Sequence, residues 1–142
     1  MSIYSWDQRY LDMAKLVSSW SKDPSTKCGA VIVNADNEVV SVGFNGLPKN
    51  VVDSLERLEN RELKYQLMVH AEQNAMIFAR QHLKACTLYT WPFQACSACA
   101  ARMIQEGVSR HVSVENRHPR WVASFDMAES MLKEANIQLT LY

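Results

Sequence analysis

The sequence carries no surplus of charge: 15 Lys and Arg stand against 15 Asp and Glu. Without a basic excess there is no broad electrostatic footprint for a polynucleotide backbone, although a small anion needs only a few local cations. No uninterrupted apolar window reaches the length of a bilayer span. The opening MSIYSWDQRYLDMAK has neither a basic n-region nor a continuous apolar h-region. These absences predict a soluble, cytoplasmic protein with no membrane partner. There is also no internal repeat, low-complexity tract or interdomain linker, and 142 residues at 48% apolar content can close one core but hardly two. A single domain over residues 1–142 is expected. The chain has only four cysteines. An even count could form two disulfides, but Cys96 and Cys99 make a C-x-x-C, while Cys28 and Cys86 sit in apolar, strand-like runs where a thiol behaves as a small hydrophobe. A chain that can bury a core needs no covalent staples.

The periodicities present describe alternating helices and strands. Ser5-Trp6-Asp7-Gln8 has the S-x-x-Q form of a capping box ahead of Leu11, Ala14, Leu16, Val17 and Trp20, predicting a helix that ends before Pro24. Cys28 to Val33 and Glu38 to Gly43 read as a hairpin through the turn Asn34 to Asn37. Residues 45–66 are charged and weakly periodic, which suggests a long surface excursion with at most a short helix at DSLERLEN. A second helix is predicted over Val69 to Gln81, a strand over Thr87 to Thr90, a third helix over Ser97 to Glu106 ended by Gly107, and a strand over His111 to Val114. VASFDMAESMLKEAN supplies a last helix, and Ile137, Leu139 and Leu141 alternate as a fifth strand. The order α-β-β-α-β-α-β-α-β predicts an α/β protein whose later strands, joined by crossovers, can run parallel.

Two segments carry chemistry. His70-Ala71-Glu72 opens one predicted helix and Cys96-Ser97-Ala98-Cys99 opens the next. An imidazole nitrogen and two thiolates suit zinc, and three protein ligands leave the fourth tetrahedral position for water. Glu72, two residues after His70, is placed to accept and return a proton. Other readings stand beside this one: a satisfied core histidine, a redox pair, or a structural zinc whose fourth ligand would be Cys28 or Cys86.

Four segments in register resemble the cytidine and deoxycytidylate deaminase superfamily, specifically its dCMP deaminase branch. They are Asp23-Pro24-Ser25-Thr26-Lys27-Cys28-Gly29-Ala30-Val31-Ile32, Gly43-Phe44-Asn45-Gly46-Leu47-Pro48, His70-Ala71-Glu72-Gln73-Asn74-Ala75 and Cys96-Ser97-Ala98-Cys99-Ala100. In zinc deaminases the pattern is H-x-E followed by P-C-x-x-C. Here WPFQACSAC has Ala95 where that proline stands, with Pro92 nearby and an inserted Gln94.

The resemblance implies a three-layer α/β/α cytidine-deaminase-like fold with a five-stranded mixed sheet. It implies one catalytic Zn2+ per chain on His70, Cys96 and Cys99, with Glu72 as proton shuttle and hydrolysis of dCMP to dUMP and ammonia. Asn45 would bind the sugar, though Asn-Gly is also a common turn. The Ala71 backbone would meet the cytosine edge, and Trp91 and Phe93 would wall the base or simply pack in the core. Lys27, with Ser25 and Thr26, and Arg117 and Arg120 are the candidates for the phosphate, each of them equally readable as solvated surface. Members of the branch form hexamers activated by dCTP and inhibited by dTTP with Mg2+. Gly46, Leu47, Pro48 and Lys49 correspond in position to the regulatory region, although Asn50 replaces a glycine there. A homo-oligomer acting on a small pyrimidine nucleotide is therefore expected. Deaminases of deoxycytidine or dCTP, a nucleoside or guanine deaminase, and a noncatalytic zinc module remain as alternatives. Neutral charge argues against a polynucleotide substrate.

Overall fold

The apolar spacing after Ser5 forms helix α1 (Trp6–Ser18) in the computed structural model, which describes residues 5–142. The Ser5 hydroxyl accepts the Gln8 backbone N–H at 3.2 Å, as the capping box predicts. The helix stops short of Trp20. The Ser18 and Ser19 hydroxyls donate back to the Lys15 and Leu16 carbonyls, which draws the backbone out of helical pairing. Strands β1 (Gly29–Val33) and β2 (Val39–Phe44) form the hairpin.

The excursion contains two helices where one was expected, α2 (Leu55–Glu59) and α3 (Arg61–Leu67). Asn60 ends the first and caps the second, its Oδ1 accepting the Leu63 N–H at 3.1 Å. Each helix is too short for a stripe to show, and the inward residue of α3 is a lysine, Lys64. That hides the element from any apolar periodicity. Then follow α4 (Ala71–Ala79), β3 (Thr87–Trp91), α5 (Ser97–Glu106), β4 (Arg110–Ser113), α6 (Val122–Glu134) and β5 (Gln138–Leu141).

The five strands form one mixed sheet in the order β2-β1-β3-β4-β5. β1 runs antiparallel to both neighbours, whereas β3, β4 and β5 are parallel and joined by the crossovers α5 and α6. Side chains alternate across β1. Val31 and Val33 meet Tyr10, Leu11 and Ala14 of α1 on one face, while Ala30 and Ile32 meet Ala71, Ala75 and Cys99 on the other. α6 seats on α5 through Ala100, Ala128 and Leu132. The outcome is the expected three-layer arrangement, with α1 on one side of the sheet and α4, α5 and α6 on the other.

Close approach sets the position of α4. A Cβ on Gly43 of β2 would lie 2.4 Å from the Ala71 carbonyl oxygen and 2.4 Å from the Ala75 nitrogen, so glycine is what lets the helix rest directly on the strand. Among the described residues no helix is long and apolar enough to cross a membrane.

Candidate functional site

Four connections gather at one edge of the sheet because β1 runs opposite to β2, β3 and β4. The segment entering β1 therefore lies beside the segments leaving the other three. Exits from parallel strands are where α/β sheets form their sites. A cavity at this edge is lined by residues of all four connections and of α3, among them Thr26, Asn45, Lys64, Glu72, Gln94 and Arg120.

The floor of the cavity is a three-residue cluster. His70 is the N-cap of α4, Cys96 is the N-cap of α5, and Cys99 lies one turn into α5. His70 Nδ1 stands 3.5 Å from Cys96 Sγ and 3.3 Å from Cys99 Sγ, and the three donor atoms all lie within 4.8 Å of one another. Neither N-cap side chain makes a cap hydrogen bond, and the helix starts are served by α4 itself in one case and by α6 in the other. Gln73 Oε1 accepts the His70 N–H at 2.9 Å, and the Ser124 hydroxyl of α6 accepts the Ser97 N–H at 2.8 Å.

The cluster fits a tetrahedral zinc ion. With Zn–S near 2.3 Å and Zn–N near 2.0–2.1 Å, a tetrahedral N···S edge is about 3.6 Å, close to the spacing found. Two helix N-termini also converge on the thiols, an arrangement that favours thiolate. The Cys96 thiol is pulled down to about 4, chiefly by a hydrogen bond from Cys99 and further by His70, while Cys99, the partner that keeps the proton, is pushed up. Neither Cys28 nor Cys86 joins the cluster among the described residues, so the fourth protein ligand of a structural zinc is not found there. All four cysteines are free thiols.

Glu72 lies in the first turn of α4 and is 7% exposed. Burial pushes its carboxyl above the ordinary carboxylate range, against the pull of His70. A carboxyl so placed holds a proton more readily than a surface glutamate. His70 meets the Trp121 ring edge to face at 6.3 Å between centroids, and Trp121 meets Tyr65 of α3 at 5.7 Å, which forms an aromatic wall over the cluster.

The remaining sequence-predicted residues divide. Ala71, Phe93, Ser25, Thr26, Asn45 and Arg120 line the cavity. Asn45 is already largely engaged: Oδ1 accepts the Cys28 N–H at 2.8 Å, and Nδ2 donates to the Thr26 carbonyl at 2.9 Å and toward Asp23 Oδ2 at 3.4 Å. One Oδ1 lone pair remains for a ligand.

Three expected residues lie outside the cavity. Trp91 follows Tyr89 by two residues on β3 and shares its face, so it packs on the α1 side, where Lys15 Nζ sits 5.5 Å from its ring centroid. Lys27 turns toward that side too, its Nζ donating to the Ser21 carbonyl. Arg117 is exposed and paired with Asp126 at 2.5 Å and Glu129 at 3.2 Å on α6. Gly46, Leu47, Pro48 and Lys49 also stand apart from the cavity. Gly46 pairs with Val69 through two backbone hydrogen bonds, and Lys49 Nζ lies 4.8 Å from the Phe78 ring centroid.

Lys64 is the cavity cation that sequence reasoning missed. Only 7% exposed, it donates from Nζ to Asp23 Oδ1 at 3.1 Å, and the same oxygen accepts the Ser25 N–H at 2.8 Å. It lies in a segment rich in charged and polar residues, NRELKYQ, so it reads as surface.

The family described as cytidine and deoxycytidylate deaminase zinc-binding region matches residues 4–115. An uncharacterized deaminase in the luxG 3' region of Aliivibrio fischeri is 42% identical over 97% of this chain and 94% of its own length. A protein named probable deoxycytidylate deaminase from Caenorhabditis elegans is 40% identical over 92% of this chain, which spans 66% of that relative. Among solved structures, the dCMP deaminase of cyanophage S-TIM5 in apo form superposes with a TM-score of 0.76, covering 96% of both chains at 20% identity, a likeness of fold.

Proposed function

The chain belongs to the cytidine and deoxycytidylate deaminase family, and from that premise we propose that it is a zinc-dependent enzyme that hydrolyses dCMP to dUMP and ammonia. The observation that carries the reading is a buried carboxyl, Glu72, beside a His-Cys-Cys cluster on the floor of a cavity that also holds Lys64 and Arg120.

In this reading His70, Cys96 and Cys99 hold the ion. When bound, zinc supplies Lewis acidity that makes a water nucleophilic near neutral pH. The Glu72 carboxylate takes one proton from the attacking water and delivers it to ring N3, then takes the proton of the resulting C4 hydroxyl and delivers it to the departing amino group. A C–O bond forms at C4, the C4–N bond breaks, ammonia leaves, and the oxygen stays as the uracil carbonyl. Phe93, which packs on Phe125 at 5.5 Å between centroids, and the Ala71 backbone flank the base. Asn45 offers its remaining lone pair to a sugar hydroxyl. Arg120, with Ser25 and Thr26, meets the phosphate; Lys27 and Arg117 are already bonded elsewhere.

In this reading the whole chain acts as one domain, works in the cytoplasm and forms a homo-oligomer, a hexamer being the form that the family resemblance implies. Residues 46–49 serve dCTP activation and dTTP inhibition with Mg2+.

The test is dUMP formation by purified, zinc-loaded protein. Native protein should yield product and Glu72→Gln, with equal zinc content, should yield none. Absence of product from folded, zinc-loaded protein with dCTP present would overturn the dCMP assignment.

A further inference from the structure

His111 is a buried histidine that the proposed chemistry leaves without a role. It stands on β4 with no exposed surface. Its Nδ1 lies 2.8 Å from the Leu88 carbonyl oxygen and its Nε2 lies 3.0 Å from the backbone nitrogen of Ala95. A carbonyl accepts and a backbone N–H donates, so the ring is held neutral with its proton on Nδ1 and with Nε2 as acceptor. Ala95 immediately precedes Cys96 and is itself 1% exposed, so water cannot serve its N–H. His111 is the partner that keeps this buried donor from being orphaned. A proline at position 95, as in the motif the chain otherwise resembles, would bring no N–H. The alanine creates a donor, and a ring from the neighbouring strand meets it.

We infer that His111 is a positioning residue for the metal cluster, holding through the Ala95 N–H the stretch of backbone that delivers Cys96 to His70 and Cys99. The inference rests on the proposed zinc site but not on the identity of the substrate. A rigid strand supplies the fixed point, since β4 is flanked by β3 and β5 and His111 also anchors to β3 at Leu88. A partner one step removed from a ligand sets how accurately that ligand is presented, and losing such a partner typically weakens metal binding about 10- to 100-fold.

The test measures zinc affinity by competition with a chromophoric chelator, together with the visible spectrum of the cobalt(II)-loaded protein. His111→Leu should weaken zinc about 10- to 100-fold and shift the cobalt bands. His111→Gln, whose amide can accept the Ala95 N–H, should stay near the native affinity, and His111→Asn, too short to reach it, should not. Ala95→Pro removes the donor and strands the ring nitrogen. The double variant His111→Leu with Ala95→Pro leaves neither orphan and should bind more tightly than the product of the single effects. Native affinity and cobalt spectrum in folded His111→Leu, or strictly additive losses, would overturn the inference. If His111→Leu does not fold, equal affinities for the Gln and Asn variants would do so. A native protein that binds no zinc would overturn the metal site as well, which separates the two failures.

Discussion

Arg120 and Arg117 lie three residues apart in one loop, and the fold gives them opposite fates. Arg117 is taken by Asp126 and Glu129, whereas Arg120 lines the cavity and makes no ion pair among the described residues. A charge-assisted hydrogen bond to phosphate contributes about 1.5–3 kcal/mol, so Arg120→Ala should raise KM for dCMP at least about tenfold. Deoxycytidine turnover should be unchanged, and steady-state kinetics on both substrates checks the difference. His111 makes a second residue-scale prediction. Burial lowers its pKa from the ordinary 6.5 to about 4. The unfolded chain therefore binds a proton that the folded protein refuses across that interval. Its contribution is whole above pH 6.5, falls as pH drops through the interval, and levels off below about 4, a loss of roughly 3 kcal/mol. Urea unfolding between pH 7 and 4.5 should show a steeper decline for the native protein than for His111→Gln. The His70-Cys96-Cys99 cluster and the carboxyl of Glu72 near it were visible in the sequence because residue type and short spacing mark them. Lys64 was not, because its burial depends on Asp23, forty-one residues away in sequence.

At the scale of elements, α4 carries both His70 as its cap and Glu72 in its first turn, so its seat on β2 sets the floor of the cavity. Gly43→Ala would place a Cβ 2.4 Å from two backbone atoms of α4, neither of which can swing aside. Overpacking of this kind costs typically about 1–3 kcal/mol. The variant should show a lower urea midpoint with unchanged slope, and a lower kcat as Glu72 moves with the helix. Periodicity found α4 but overran both ends. Val69 is taken by its pairing with Gly46, and Arg80 turns left-handed at φ 54°. Of the two short helices, α2 falls within the expected helix at DSLERLEN, whereas α3 escaped because its buried residue is Lys64, which lines the cavity, and an apolar stripe marks only what faces a core.

On the scale of the whole molecule, Asp7 ties α1 to the sheet and to the segment after β5. Its carboxylate accepts from Arg110 at 2.8 and 2.6 Å, from the Tyr89 hydroxyl at 2.8 Å and from the Tyr142 hydroxyl at 2.5 Å, joining α1, β3, β4 and the last residue. The Arg110 hydrogen bonds, aided by Tyr142 and Tyr89, hold its pKa down at about 2. A carboxyl lowered on folding stabilises fully above its unfolded value near 4 and loses that contribution as pH falls toward 2. Asp7→Asn should unfold at lower urea than the native protein at pH 7, and the gap should narrow between pH 4 and 2. Residue identity and local period sufficed for the individual strands and covering helices, the His-Cys-Cys segments and the glutamate beside them, because each depends on neighbours within a turn or a strand, while the mixed sheet was expected from the family resemblance. Folding alone decided which cations reach the cavity, that Trp91 faces α1 while Phe93 faces the site, and that His111 stands behind Cys96. Those outcomes depend on which strand lies beside which and on the face a side chain takes, and both are settled by packing across the sheet.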